Sequence, residues 1–280
     1  MEKNAALKGI EAKIIEGRTE EAFLMISELI SCSDDPFTLL TCASLSSTAG
    51  HRGGVKAAVS KILRTPLGGR AAEVAAGLAG IGCFSEALDV IRSSNEKGCA
   101  SLEASLLLAL GRCGEALEAA DRASELSLPG RIVRVEALSA LGRHDEAVRI
   151  AKDLEAYGAT AYEAGRCYCA ALLSADRPKD AKNYLSEMLK ADKNSADYNA
   201  LAAYVFWVQG KTTAAASYAA KAVQADNGHT GAMETLALCM IDKGRYRDAK
   251  IVAGAINEKS PGNPAAHRII EACIARESAV

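Results

Sequence analysis

Six residues, Gly244-Arg245-Tyr246-Arg247-Asp248-Ala249, constrain this chain more than any other feature, because the chain keeps rewriting them at a fixed distance. Gly210-Lys211-Thr212-Thr213-Ala214-Ala215 stands 34 residues upstream, Asp176-Arg177-Pro178-Lys179-Asp180-Ala181 a further 34, and Gly142-Arg143-His144-Asp145-Glu146-Ala147 another 34. A constant period of this size is the mark of a stacked-repeat protein. Each residue type has a physical role in a turn between two antiparallel helices. Gly can adopt the left-handed conformation that ends the first helix. Acidic residues before the Ala complement the dipole at the start of the second. The Ala, almost without a side chain, lets the two helices approach.

Four further anchors precede these, at Gly17–Ala22, Gly50–Val55, Gly82–Ala87 and Gly111–Ala116. The second is degenerate, Gly50-His51-Arg52-Gly53-Gly54-Val55, and has no strand before it, so it reads as a repeat turn and not a phosphate loop. Spacing drifts in this half: 29 residues separate the third and fourth anchors, which predicts a clipped helix or loop around Ser93 to Cys99. The fifth follows after 31, with Leu128-Pro129-Gly130 as the connection. Helices are predicted from about Asn4 to Glu16, from the turn at Gly17–Ala22 onward to about Ile30, and from Pro36, which Asp35 caps. After Lys259-Ser260-Pro261-Gly262-Asn263 a last amphipathic helix runs from about Pro264 to Arg276 and covers the end of the stack. The expected fold is all-α, an α-solenoid of about eight helix-turn-helix repeats plus a C-terminal capping helix. It is read as one continuous domain over 1–280, with irregular repeats in 1–110, better-kept repeats in 111–262 and the cap in 263–280.

Composition agrees with Ala- and Leu-rich helix contacts: 49% of residues are hydrophobic but only 5% are aromatic. A net charge of −2 weighs against a nucleic-acid partner. No apolar signal core and no 18-residue apolar run appears, so the expected location is cytoplasmic. Nine cysteines without a Cys-x-x-Cys pair read as reduced, structural thiols. No catalytic residue, cofactor or metal ligand is expected. His51 and His144 fall in turns, His229 in a loop and His267 on the last helix, without a second ligand at i+3 or i+4.

These repeats resemble the tetratricopeptide family. Its small residue in the first helix matches Ala203 and Ala237, its turn Gly matches Gly210 and Gly244, and the small residue of the second helix matches Ala215 and Ala249. Ala222 and Pro261 fit its later positions. The whole arrangement is also similar to the epsilon subunits of coatomer, the COPI vesicle coat. That resemblance is carried by Leu138-Ser139-Ala140-Leu141-Gly142-Arg143, Ala171-Leu172-Leu173, Asp180-Ala181-Lys182-Asn183-Tyr184-Leu185 and Val208-Gln209-Gly210-Lys211. The resemblance implies a coat subunit in the cytoplasm, peripheral to Golgi and COPI vesicle membranes, touching membrane only through the coat. It would wrap a segment of the C-terminal region of the coatomer alpha subunit. A general tetratricopeptide adaptor, a chaperone or assembly factor, and a regulatory subunit of an enzyme complex are the alternatives.

In such stacks the first helix of each pair lines the concave face. That places Glu136, Ser139, Glu163, Arg166, Ala170, Leu173, Tyr204, Trp207, Glu234, Leu238 and Ile241 on it as the expected partner-binding residues. Tyr204 and Trp207, three apart on one helical face, are the sharpest pair, and Trp207 is the only Trp in the chain. Trp207 could equally pack between repeats. The small-residue lining suits an extended or hairpin segment of a protein partner better than the clustered basic residues of peptide-terminus binders do.

Overall fold

The computed structural model describes residues 2–94, 98–124, 127–259 and 263–277. Among them lie seventeen α-helices and one short 3-10 helix. By internal contacts the chain divides into two compact units, Met1–Leu110 and Gly111–Val280. The first holds α1 (Glu2–Ile15), α2 (Thr19–Cys32), α3 (Pro36–Thr48), α4 (Arg52–Ile62), α5 (Ala71–Gly80), α6 (Phe84–Ser93) and α7 (Ala100–Ala109). The second holds α8 (Cys113–Ser124), α9 (Leu128–Ala140), α10 (His144–Lys152), the 3-10 helix (Leu154–Tyr157), α11 (Ala161–Ser174) and α12 (Pro178–Ala191). It continues with α13 (Ala196–Val208), α14 (Thr212–Ala225), α15 (Thr230–Asp242), α16 (Tyr246–Lys259) and α17 (Pro264–Glu277). In chain order these are eight helix pairs joined by the eight anchors, with a seventeenth helix after them, so the fold is the all-α repeat architecture expected. Pro261 and the side chain of His267 lie outside the described residues.

The anchors fold by one rule. At Gly244, φ is +72°, its N–H donates to Ile241 O at 2.9 Å and the N–H of Arg245 reaches Met240 O at 2.9 Å. Those two bonds are a Schellman motif, which satisfies carbonyls left over at the end of the first helix. The same pair of bonds recurs at Gly17, Gly50, Gly82, Gly142, Asp176 and Gly210. Asp176 is the only non-Gly residue among those described with positive φ, at 53°. Downstream, the anchor alanines Ala22, Ala87, Ala116, Ala147, Ala181, Ala215 and Ala249 are all 0% exposed. The degenerate anchor differs in kind. There Gly54 is the buried small residue, and a Cβ on it would collide with the Ser46 hydroxyl.

The acidic residues have a partner that the helix-dipole argument did not anticipate. Arg18 grips Glu21, Arg112 grips Glu115, and Arg143 grips Glu146, each through two bonds of 2.6–2.8 Å. Arg177 and Arg245 bond Asp180 and Asp248 at 2.7 Å. These exposed pairs contribute little individually. They hold the turn's second residue against the second helix, which has no side-chain cap of its own at Arg18, Arg143 or Arg177.

Two local expectations are corrected. Leu128-Pro129-Gly130 is not a connection but the first turn of α9. The Ser127 side chain accepts from the Gly130 N–H at 3.2 Å, and Pro129 sits where a helix has no need of an N–H. The regular spacing after Gly142 also hides a break: α10 is only nine residues long and gives way to the 3-10 helix. Leu154 is drawn fully into the core while Tyr157 stays outside under the Arg131 guanidinium, 3.6 Å from its ring centroid. Period alone cannot report a helix that stops early when the following turn makes up its length. Between the third and fourth anchors, α6 and α7 are only ten residues each, ending at Ser93 and starting at Ala100, and residues 95–97 of the stretch expected to be clipped lie outside the described residues.

No disulfide joins any of the nine cysteines, and Cys42, Cys167, Cys169, Cys239 and Cys273 are buried. Burial pushes the Cys42, Cys167 and Cys239 thiols up to about 11 and Cys169 to about 12, so these sulfurs stay protonated and behave as small hydrophobes.

The single left-handed aspartate gives a direct test of the turn rule. Replacing Asp176 by Gly removes the steric cost of positive φ and should raise stability by about 0.5–1 kcal/mol. Thermal melting should show a higher midpoint for Asp176→Gly. A lowered midpoint would mean that the Asp side chain itself stabilises the turn.

Candidate functional site

The first helices of the second unit contact one another in succession: α9 with α11, α11 with α13, α13 with α15 and α15 with α17. Their N-termini are fixed by side-chain caps. Ser127 serves α9, Ser195 serves α13, and Thr160 and Glu163 form a full capping box on α11. Glu163 is thereby corrected: its carboxylate is engaged by the Thr160 N–H at 3.0 Å, a structural role, and is not a free group of the binding face.

α15 is capped by a histidine. His229 Nδ1 accepts from the Ala232 N–H at 3.1 Å, while Nε2 lies 3.1 Å from Asp197 Oδ1 at the start of α13. The backbone donor requires Nδ1 without a proton, so Nε2 carries the hydrogen and donates to the carboxylate. The ring is only 9% exposed and meets the Tyr162 ring edge-on at 4.8 Å. His229 thus stands in the loop before α15, as expected, and from there it ties two repeats together. His51 does the same kind of work in the first unit, capping Gly54 N and stacking on Phe23 at 4.0 Å.

Of the expected face residues, five come together. Glu136, Ser139, Arg166, Ala170 and Tyr204 line one groove of about 340 Å³, with Val135, Ala140, Cys167, Ala171 and Ser174 completing it. Arg166 Nη2 stands 3.8 Å from Glu136 Oε1, and its guanidinium carbon 6.0 Å from the Tyr204 ring centroid. Burial pushes the Glu136 carboxyl above the ordinary glutamate range, and the Arg166 charge only partly opposes this. Burial likewise raises the Tyr204 hydroxyl, again with Arg166 acting the other way.

Leu173 and Leu238 are partly buried and pack against the cores beneath them. Trp207 is half-buried, and its indole Nε1–H donates to Asp242 Oδ2 on α15 at 3.1 Å. The ring is thus held across two repeats with part of its surface still open. Glu234 is bonded by Arg268 of α17 at 2.8 and 2.6 Å. Ile241 does not belong to the face. It is 6% exposed in a core cluster with Met233, Ala237, Ala249, Ala253 and Ile256. Met233, Ala237 and Ile241 follow at four-residue steps along one stripe of α15, and that stripe is the buried one.

Asp242, Arg268 and Asp197 were missed by sequence reasoning, though a signal existed. They stand 35, 34 and 32 residues from the side chains they bond, one repeat away in each case. Pairing charges and donors at the repeat distance would have found them.

Elsewhere the second unit has a cleft of about 480 Å³ where α10 is cut short, lined by Lys152, Glu155, Tyr168, Arg177, Tyr184 and Glu187 among others. No group of three His, Cys, Asp or Glu among the described residues could hold a metal ion, and no helix among them is long and apolar enough to cross a membrane.

This is the architecture of a tetratricopeptide-type helical repeat array. The tetratricopeptide repeat family model matches residues 207–273, from the end of α13 into α17. No curated protein matches the chain. Among solved structures, a tetratricopeptide repeat protein from Parabacteroides merdae is similar at 15% identity and a TM-score of 0.47, covering 85% of this chain and 98% of its own. The P58(IPK) TPR domain aligns over 100% of this chain and 99% of its own, at 12% identity and a TM-score of 0.34. The TPR2AB domain of yeast Sti1, solved in complex with pHSP90, covers 75% of this chain and 100% of its own at 15% identity and a TM-score of 0.35.

The groove's electrostatics can be checked by titration. Because the folded Glu136 carboxyl binds its proton more tightly than an unfolded glutamate, its contribution to stability is fully present below the unfolded value and lost as pH rises through the folded one. Carboxyl-carbon NMR should give Glu136 a midpoint above the ordinary glutamate value, and Arg166→Gln should move it higher still. A midpoint at or below the ordinary value would contradict the upward shift.

Proposed function

We propose that this protein is a non-enzymatic binding scaffold that holds an extended or hairpin segment of a larger protein along the first helices of its second unit, from α9 to α15. The observation that carries this reading is Trp207. A large ring, partly open to solvent and held in orientation by the Asp242 bond, is the kind of pre-organised anchor on which binding interfaces concentrate their energy. Ala170, Leu173, Tyr204 and Leu238 continue an apolar strip on either side, and Glu136, Arg166 and Glu234 supply polar edges. Small side chains along such a strip let a partner's backbone come close, so shape and main-chain bonding outweigh individual charges.

The general adaptor is the reading proposed. The finer one is a coat subunit that wraps the C-terminal region of the coatomer alpha subunit. Its support is the residue pattern of the segment from Arg131 to Leu189. A chaperone or assembly factor and a regulatory subunit of an enzyme complex share the scaffold chemistry and differ only in what is held.

Affinity capture from the source cell, followed by mass spectrometry, separates these readings. Capture should recover a protein whose retention falls by about tenfold or more with Trp207→Ala, the effect of losing a central aromatic anchor. Helicity and melting should change little, because the ring is only half-buried. Coat subunits in the captured fraction would select the finer reading, and an enzyme would select the regulatory one. Equal capture by wild type and Trp207→Ala would remove this face from consideration. A large loss of stability would show Trp207 to be a core residue instead.

A further inference from the structure

Two Glu–Arg pairs join neighbouring first helices in the second unit, and they are not in the same state. Between α15 and α17 the pair is closed, with Arg268 donating to Glu234 at 2.8 and 2.6 Å. Between α9 and α11 it is open. Arg166 and Glu136 come no nearer than 3.8 Å, beyond hydrogen-bond reach, and Arg166 donates no hydrogen bond among the described residues. The groove lies at the open pair, with the hydroxyls of Ser139, Ser174 and Tyr204 around it and the small side chain of Ala170 at its wall. A guanidinium has five donors in a fixed fork and a carboxylate has only acceptors, so a group that carries both a donor and an acceptor can bond the two side chains at once.

We infer that the open Glu136–Arg166 pair is a subsite for the neutral side-chain amide of a Gln in an extended partner segment. The amide N–H donates to the Glu136 carboxylate and its C=O accepts from the Arg166 guanidinium. The inference deepens the scaffold reading above and depends on it for the occupant. Charge balance decides the class. A partner carboxylate drawn to Arg166 meets Glu136 beside it, and a partner ammonium or guanidinium drawn to Glu136 meets Arg166. Each arrangement sets like charges together in a partly desolvated groove, which costs affinity. A neutral group with one donor and one acceptor meets neither penalty and satisfies both side chains. A primary amide carries its N–H donors and its C=O acceptor on one carbon, the arrangement this pair requires. Ser139 and Ser174 offer further hydroxyls to the next peptide groups.

The test uses three capped heptapeptides, acetyl-Ala-Ser-Ala-Xaa-Ala-Ser-Ala-amide, with Gln, Glu or Lys as Xaa. Their binding to the full chain is followed by two-dimensional NMR at Ser139, Arg166, Ala170 and Ser174. The Gln peptide should shift these signals, with the Glu and Lys peptides weaker by about tenfold, the scale expected of a like-charge contact. Glu136→Gln leaves Arg166 unopposed and should reverse the order in favour of the Glu peptide. Arg166→Gln should reverse it in favour of the Lys peptide. A charged peptide preferred by the wild type, no reversal in either variant, or no shift from any peptide at millimolar concentration would overturn the inference. If the subsite fails while Trp207-dependent capture of a partner holds, the scaffold reading stands. If the peptides bind as stated but no Trp207-dependent partner is captured, the scaffold reading is the one that falls.

Discussion

The left-handed turn at the end of each first helix is the constraint on which the rest of this structure depends. Closing the helix with two crossed bonds, as at Gly244 and Arg245, sends the chain back antiparallel after a single residue of positive φ. The Ala five places later is then brought against the first helix, and only a side chain of that size can be accommodated at zero exposure. Where the anchor decays, as at Gly50 to Val55, the close approach survives by moving to Gly54. Turn geometry and small-residue placement are therefore one requirement, and repeating it produces a row of first helices.

That row explains why the polar contacts run one repeat at a time. The Trp207–Asp242, Glu234–Arg268 and Asp197–His229 contacts each bridge successive first helices. They fix the orientation of the side chains they join beside the separate apolar clusters of the unit. At Glu234 and Arg268 the bridge consumes both charges. At Glu136 and Arg166 it does not, and the difference leaves a polar opening in a face otherwise made of Ala, Leu, Tyr and Trp.

Much of the fold could be read in advance because turn chemistry is local. Gly or Asp at position one, a buried Ala at position six and, at six of the eight anchors, an acid between them are all decided within a few residues, and the structure follows them everywhere but at Gly50 to Val55. What could not be read depended on longer range. The early stop of α10 is invisible to a period that the following 3-10 helix restores. Ile241 was placed on the face by counting from the start of the repeat. Its actual environment is set by the stripe it shares with Met233 and Ala237 and by α16 and α17 packed over it. Histidines scattered in sequence looked solvated, yet His229 is fixed by a backbone donor three residues on and an acid one repeat back. The groove's five expected residues came together because their spacing followed the repeat.

The central claim, that the first-helix face of the second unit holds the partner, is tested most directly by placing a photo-crosslinking amino acid at single positions and mapping adducts in cell extract. One probe replaces Ala170 in the groove wall. The other replaces Ile251, which is 65% exposed on the second helix α16. The account predicts a discrete protein adduct from position 170 and none from position 251. An adduct from position 251 with none from position 170 would contradict it.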